Sequence, residues 1–220
     1  MIPPEGNADF VAAMEKVLDV YRRPYDASRP VVCMDETPRQ LIRETKMPMP
    51  ALPGRPERHD YEYERCGVCN VFMACEPLAG KRMTKVTERK TRSDWARFLQ
   101  DIAGRYGGAE KITLVMDNLS THTPGALYAA FAPAEAKALW ERFEFVYTPK
   151  HGSWLNMAEI ELNVMIRQCL SRRVSSVQEL AGSVLAWQSH RDQLRAKVNW
   201  QFTTEDARIK LKRLYPTLLE

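Results

Sequence analysis

The chain has 220 residues, 45% hydrophobic and 27% charged, with a net charge of +4 and a pI near 8.8. That mixture excludes a wholly disordered chain and suffices for one large α/β domain, or one domain with a short appendage. The mild positive charge permits a polyanionic partner without demanding one, and no apolar run approaches membrane-spanning length.

The N-terminus, Met1-Ile-Pro-Pro-Glu-Gly6, has no signal-peptide pattern, and five cysteines beside an ample core fit a reducing cytoplasm. Residues 7–22 read as an amphipathic helix, apolar at Phe10, Met14, Val17, Leu18 and Tyr21, with Asn7 as N-cap and Arg23-Pro24 as its end. Pro30 then opens an apolar run, Val31-Val-Cys-Met, that stops at Asp35. One helix ahead of this strand leaves no helix-turn-helix module there. The chain divides into a lead-in helix and linker, 1–29, and a domain over 30–220.

From Thr37 to about Asp60 there is no clear period. The stretch carries Pro38, Pro48, Pro50, Pro53 and Pro56 among Arg39, Arg43, Lys46, Arg55 and Arg58. A connection this long inside a domain is usually functional or disordered. A solvated loop and an arm reaching a partner chain or phosphates fit it about equally. Strand-like runs near 65–75 and 81–87, joined by Glu76-Pro-Leu-Ala-Gly80, form a hairpin pattern. Cys66-x-x-Cys69, with His59 and Cys75 nearby, has zinc-like content. Residues three apart on a strand point to opposite faces, however, so buried thiols are favoured and no zinc is expected.

A helix over 93–106 buries Trp95, Phe98, Leu99, Ile102 and Tyr106 and stops at Gly107. The unbroken run Ile112–Met116 then reads as a strand of a parallel sheet. Asp117 follows at its carboxyl end, where open α/β sheets build their ligand crevice, with Asn118 and His122 in the next turn. A lone aspartate there reads as an Asx turn. Two such strands, ending at Asp35 and Asp117, point instead to a metal site. Helical stretches at 124–130 and 133–140 and a short strand at 143–147 come next. The loop from Thr148 to Trp154 brings Lys150 and His151, either solvated or touching phosphates, to a helix over 157–171. Glu159 lies in its first turn, where Asn156-Met-Ala-Glu159 also fits a capping box; Glu161 should leave by the helix's other side. A helix over 176–193 and a last one capped at Thr203-Thr-Glu-Asp206 and ending near Tyr215-Pro216 complete the chain.

Three strands, a helix, a strand, helices, a strand and further helices is the order of a ribonuclease H-like domain: α/β, with a mixed five-stranded sheet flanked by helices. In that order the first and fourth strands are parallel neighbours, so Asp35 and Asp117 meet, and Glu159 is the third carboxylate. Val31-Val-Cys-Met-Asp35-Glu-Thr, Leu114-Val-Met-Asp117-Asn-Leu-Ser-Thr-His122 and Tyr147-Thr-Pro-Lys-His-Gly-Ser-Trp-Leu-Asn-Met-Ala-Glu159 resemble the bacterial insertion-sequence branch of the mariner-like DDE transposases. The tail from Trp200 to Pro216 is similar too.

This resemblance implies a DDE endonuclease that cleaves DNA and transfers strands at insertion-sequence ends. Asp35, Asp117 and Glu159 would be the catalytic, metal-binding triad, with Asn118 and His122 in support. It implies Mg²⁺, with Mn²⁺ substituting, and double-stranded DNA gripped by a homodimer, with Lys150, His151, Arg39 and Arg43 on the phosphates. It also implies a bacterial cytoplasmic protein, nucleoid-associated when on DNA. The family's N-terminal helix-turn-helix modules are missing, as in a fragment or a truncated product. The alternative function is therefore a non-catalytic remnant that binds DNA or dimerises as an inhibitor.

Overall fold

The computed structural model describes residues 7–216; the N-terminal Met1–Gly6 lies outside them. Helix α1 (Ala8–Tyr21) starts at Asn7, whose Oδ1 accepts from Phe10 N at 2.9 Å. Five strands follow: β1 (Val31–Glu44), β2 (Tyr63–Glu76), β3 (Lys81–Thr87), β4 (Ile112–Met116) and β5 (Phe143–Tyr147). They form one mixed sheet in the order β3-β2-β1-β4-β5. The first three are antiparallel neighbours, while β1/β4 and β4/β5 are parallel. This is the ribonuclease H-like arrangement.

Helices cover both faces because the strand residues alternate. Val32, Met34, Ile112, Leu114 and Met116 turn to α2 (Arg92–Arg105), α3 (Pro124–Ala130) and α4 (Pro133–Glu141). On α2, Trp95, Phe98, Leu99 and Ile102 are all 1% exposed or less, each contributing roughly 1.5–3 kcal/mol by burial. Cys33, Val115 and Val146 turn the other way, to α1, the start of α5 (Met157–Cys169) and α7 (Thr204–Lys210). The far half of α5 and α6 (Val177–Gln193) cover Val71 and Met73 of β2 on that same side. The lead-in helix is thus part of the packed core.

The structure corrects the sequence reading in two places. The strand at Asp35 does not end there: β1 runs on to Glu44, paired with β2 as far as Glu44 and Tyr63. Beyond Cys33 it has lost β4, so one side of its ladder is open and Pro38 is accommodated. The long connection is therefore only Thr45–Glu62, the tip of a ribbon, with isolated bridges at Met49–Arg58 and Leu52–Arg55. A register shift between Leu41 and Ile42 sits at Gly67, whose φ of 109° favours glycine. Glu161, expected off the other side of α5 from Glu159, is fully buried there. It binds Arg82 at 2.8 Å and Arg191 at 2.9 Å.

Candidate active site

The parallel register of β1 and β4 pairs Val31 with Thr113, Val32 with Leu114 and Cys33 with Val115. Asp35 lies two residues past the last of these pairs on β1 and Asp117 two past it on β4, so the two strands carry both carboxylates to the same edge of the sheet. Strands β1, β3, β4 and β5 all point the same way, so the loops after β3, β4 and β5 gather at this edge. The loop after β5 passes a 3-10 turn (Ser153–Leu155) into α5.

Asn156 joins that helix to the strand. Its Oδ1 caps α5 by accepting from Ala158 N at 3.1 Å, and its Nδ2 donates to Met34 O at 2.9 Å and Asp35 Oδ2 at 3.4 Å. Asn156 N, which a capping-box glutamate would accept from, donates instead to Ser153 O at 2.8 Å, so the capping-box role open to Glu159 is not taken. Among the described residues the half-buried Glu159 carboxylate has no hydrogen bond or ion pair. Asp35 also accepts from Glu36 N at 2.8 Å. Its pKa is pushed up to about 7, first by burial and then by the negative charges of Asp117, Glu36 and Glu159, against that one hydrogen bond. The carboxylates therefore act on one another through space, without touching.

Asp117 is the first residue beyond β4. His122, 1% exposed, lies with Nδ1 2.8 Å from Asp117 Oδ1, and stacks on Trp95 with ring centres 5.3 Å apart. Burial works against a charged imidazole here, but Asp117 and Glu36 outweigh it and hold the His122 pKa at about 9. Asn118 is exposed in the same turn.

Of the residues expected on phosphates, Lys150 and His151 are exposed at this edge, His151 in a left-handed conformation with φ 65°. With Pro149 and the α1 start at Asn7, Asp9 and Phe10 they line a cavity of about 410 Å³. Arg39 is turned inward: it donates to the carbonyls of Leu170 and Arg172 beyond α5. Arg43 pairs with Glu64 at 3.1 Å on the ribbon. Sequence reasoning missed Asn156 as a tie to Asp35, and the exposed Arg89 and Lys90 in the loop after β3 with Arg92 at the start of α2. Three cations in four residues at a strand exit were the available signal. Another cavity, of about 580 Å³, opens between Arg23, Asp26, Arg29, Lys111 and Glu144 at the opposite end of the sheet, away from these carboxylates.

Among the described residues no three His, Cys, Asp or Glu side chains close into a ready-made metal cage. The donor set still fits a hard cation. It is oxygen-only, one member is desolvated, and Mg²⁺ keeps several waters and needs only one or two carboxylates beside substrate phosphates. No described helix is long and apolar enough to cross a membrane.

The fold is shared with Mos1 transposase. The paired-end complex with the left transposon end aligns with a TM-score of 0.59 at 14% identity, over 89% of this chain and 60% of that one. The Mos1 mariner paired-end complex with Mn aligns at 0.55 and 16% identity, over 89% and 60%. The paired-end complex with Mg aligns at 0.56 and 13% identity, over 99% and 66%. The chain thus spans about 60% of the length of the first of these. No curated protein sequence matches it. Residues 30–181, well over half the chain and holding both acidic strands and the start of α5, match the DDE superfamily endonucleases, and to that family this chain belongs.

Proposed function

We propose that this chain is the catalytic domain of a transposase of the bacterial insertion-sequence, mariner-like kind, with Asp35, Asp117 and Glu159 as its catalytic carboxylates. The observation that carries the reading is that Asp35 and Asp117 each lie two residues past the last pair of the parallel β1/β4 ladder, with the unpartnered Glu159 in the first turn of α5. Two Mg²⁺ ions, or Mn²⁺ in their place, would be held on these carboxylates and supply the neutralisation of charge on the attacking and leaving oxygens. Asp35, the desolvated member, would help to hold them, and Asn156 Nδ2 steadies its carboxylate through Oδ2 at 3.4 Å. Water attacks the phosphorus at an element end, and the bond to the 3′ oxygen breaks, leaving a 3′-hydroxyl. That hydroxyl then attacks a target phosphodiester, whose own 3′ oxygen departs. Lys150, His151 and the cationic loop Arg89–Arg92 face the DNA backbone from the same edge.

The catalytic unit in this reading is residues 30–220, with 1–29 leading into it. The ribbon tip, Thr45–Glu62, reaches a second copy of the protein on paired DNA ends. The test is Asp117→Asn, which keeps size and shape while removing the charge. Mg²⁺-dependent nicking of a duplex should fall at least a thousandfold with an unchanged circular dichroism spectrum. Nicking that survives in the variant overturns the assignment.

A further inference from the structure

Asp35 and Glu36 are strand neighbours and so face opposite sides of the sheet. Asp35 meets Asn156 on the α5 side, while Glu36 enters the α2 side, where its side chain is only 2% exposed. Its Oε2 is buried without a hydrogen bond. A carboxylate is costly to bury this way, and for stability alone an apolar residue would serve better. Its ionic neighbours are His122 Nε2 at 3.5 Å and Lys90 Nζ, at the rim, at 3.6 Å. His122 meets Asp117 with its other nitrogen, 2.8 Å from Oδ1 and 3.3 Å from the main-chain oxygen. Its ring lies nearly flat on Trp95, at 20°. With both nitrogens engaged and one face covered, the imidazole cannot turn without losing a contact. Asp117 Oδ1 is buried without a hydrogen bond, its 2.8 Å approach to His122 Nδ1 being an ion pair, while the side chain as a whole keeps 30% exposure, which leaves Oδ2 as the oxygen open to the cleft.

We propose that Glu36 and His122 are positioning residues: a buried pair that clamps Oδ1 of Asp117 and presents Oδ2 to the cleft shared with Asp35. This rests on the reading of Asp117 as a metal-holding carboxylate. Partners of this kind behind a metal-holding group are worth about 10–100-fold in metal affinity. They act through Asp117 and touch neither substrate nor metal.

Calorimetric titration with Mn²⁺, without DNA, separates the two claims. Asp117→Asn tests the underlying reading, and a variant that binds Mn²⁺ as wild type does would remove both. Given that loss, Glu36→Gln and His122→Gln should each weaken Mn²⁺ binding about tenfold. The double variant should bind no more weakly than His122→Gln alone, because the two act in series. The melting temperature of Glu36→Gln should fall little, because Asp117 still faces His122 and the imidazole can shed its proton once Glu36 is neutral. A merely structural Glu36 would give the reverse, a lowered melting temperature with wild-type Mn²⁺ affinity. That result, or losses that simply add in the double variant, would overturn the proposal. Should His122→Gln fail to fold, Glu36→Gln alone still decides it.

Discussion

Glu144 shows how a single residue secures the far end of the sheet. Arg23 donates to both its oxygens, at 2.9 and 3.1 Å, and Thr113 Oγ1 donates to Oε2 at 2.8 Å. Arg23, ahead of the opposing effect of burial and aided by Thr113, holds the carboxyl down at about 2, below its ordinary 4.5. A depressed acid contributes stability that is present above pH 4.5 and is lost as pH falls through about 2. Glu144→Gln should therefore melt below wild type at pH 6, with the gap closing between pH 4.5 and 2. The gap should be small and shrink in salt, because both partners are more than a third exposed. Thermal melts across that range check it. At this scale the sequence was informative where rules are local. An apolar run ended by Asp117 and a first-turn Glu159 are readable from their neighbours. The clasp of Asn156 on Asp35 and the Glu36–His122 contact join positions far apart in the chain, and only packing reveals them.

The helix that carries Glu159 is fixed by a buried ionic knot. Glu161 receives Arg82 Nε at 2.9 Å and Nη2 at 2.8 Å, and Arg191 at 2.9 Å, which ties α5 to β3 and α6. Burial opposes its charge, but the two guanidiniums prevail and its pKa is lowered. Arg82 is itself 1% exposed and also donates to the Ala196 carbonyl. Glu161→Gln would leave that buried guanidinium with only the more distant Asp192, at 3.9 Å, as counter-charge, at a cost of up to about 3–5 kcal/mol. Urea unfolding monitored by tryptophan fluorescence should show the loss, and a change below about 1 kcal/mol would mean that the knot relaxes with little loss. Periodicity located α1, α2, α5 and α6 well, and the strand order followed from their sequence. The ribbon was not legible: past Cys33 the β1 strand has a neighbour on one side only, so its burial no longer alternates cleanly and its proline suggests loop. Burial of Glu161 was also hidden, since its arginine partners lie on other elements.

Across the whole molecule the charge is only +4, and what is basic near the carboxylates sits in the loops at Arg89–Arg92 and Lys150–His151. DNA binding by this chain should therefore rest on phosphates. It should be weak, indifferent to sequence and steeply salt-dependent, each contact adding about 0.9 to the slope of log affinity against log salt. Titrating end-sequence and scrambled duplexes at two salt concentrations measures this, and a preference that persists at high salt would contradict it. The long ribbon adds a mechanical consequence. Its shaft, the continuation of β1 and β2 out of the sheet, is also pinned to the stretch just beyond α5: Arg39 to the carbonyls of Leu170 and Arg172, Ile42 N to Val174 O at 2.7 Å, and Glu44 to Arg173. One fulcrum thus joins the strand holding Asp35 to the helix holding Glu159. A pull on the tip would therefore be felt as a torque at a point that the strand and the helix share. Replacing Lys46–Arg58 with a short glycine linker should leave the melting temperature nearly unchanged, because nothing buried is lost. In the full-length context it should abolish paired-end assembly, measured by gel shift, if the tip reaches the second copy as proposed.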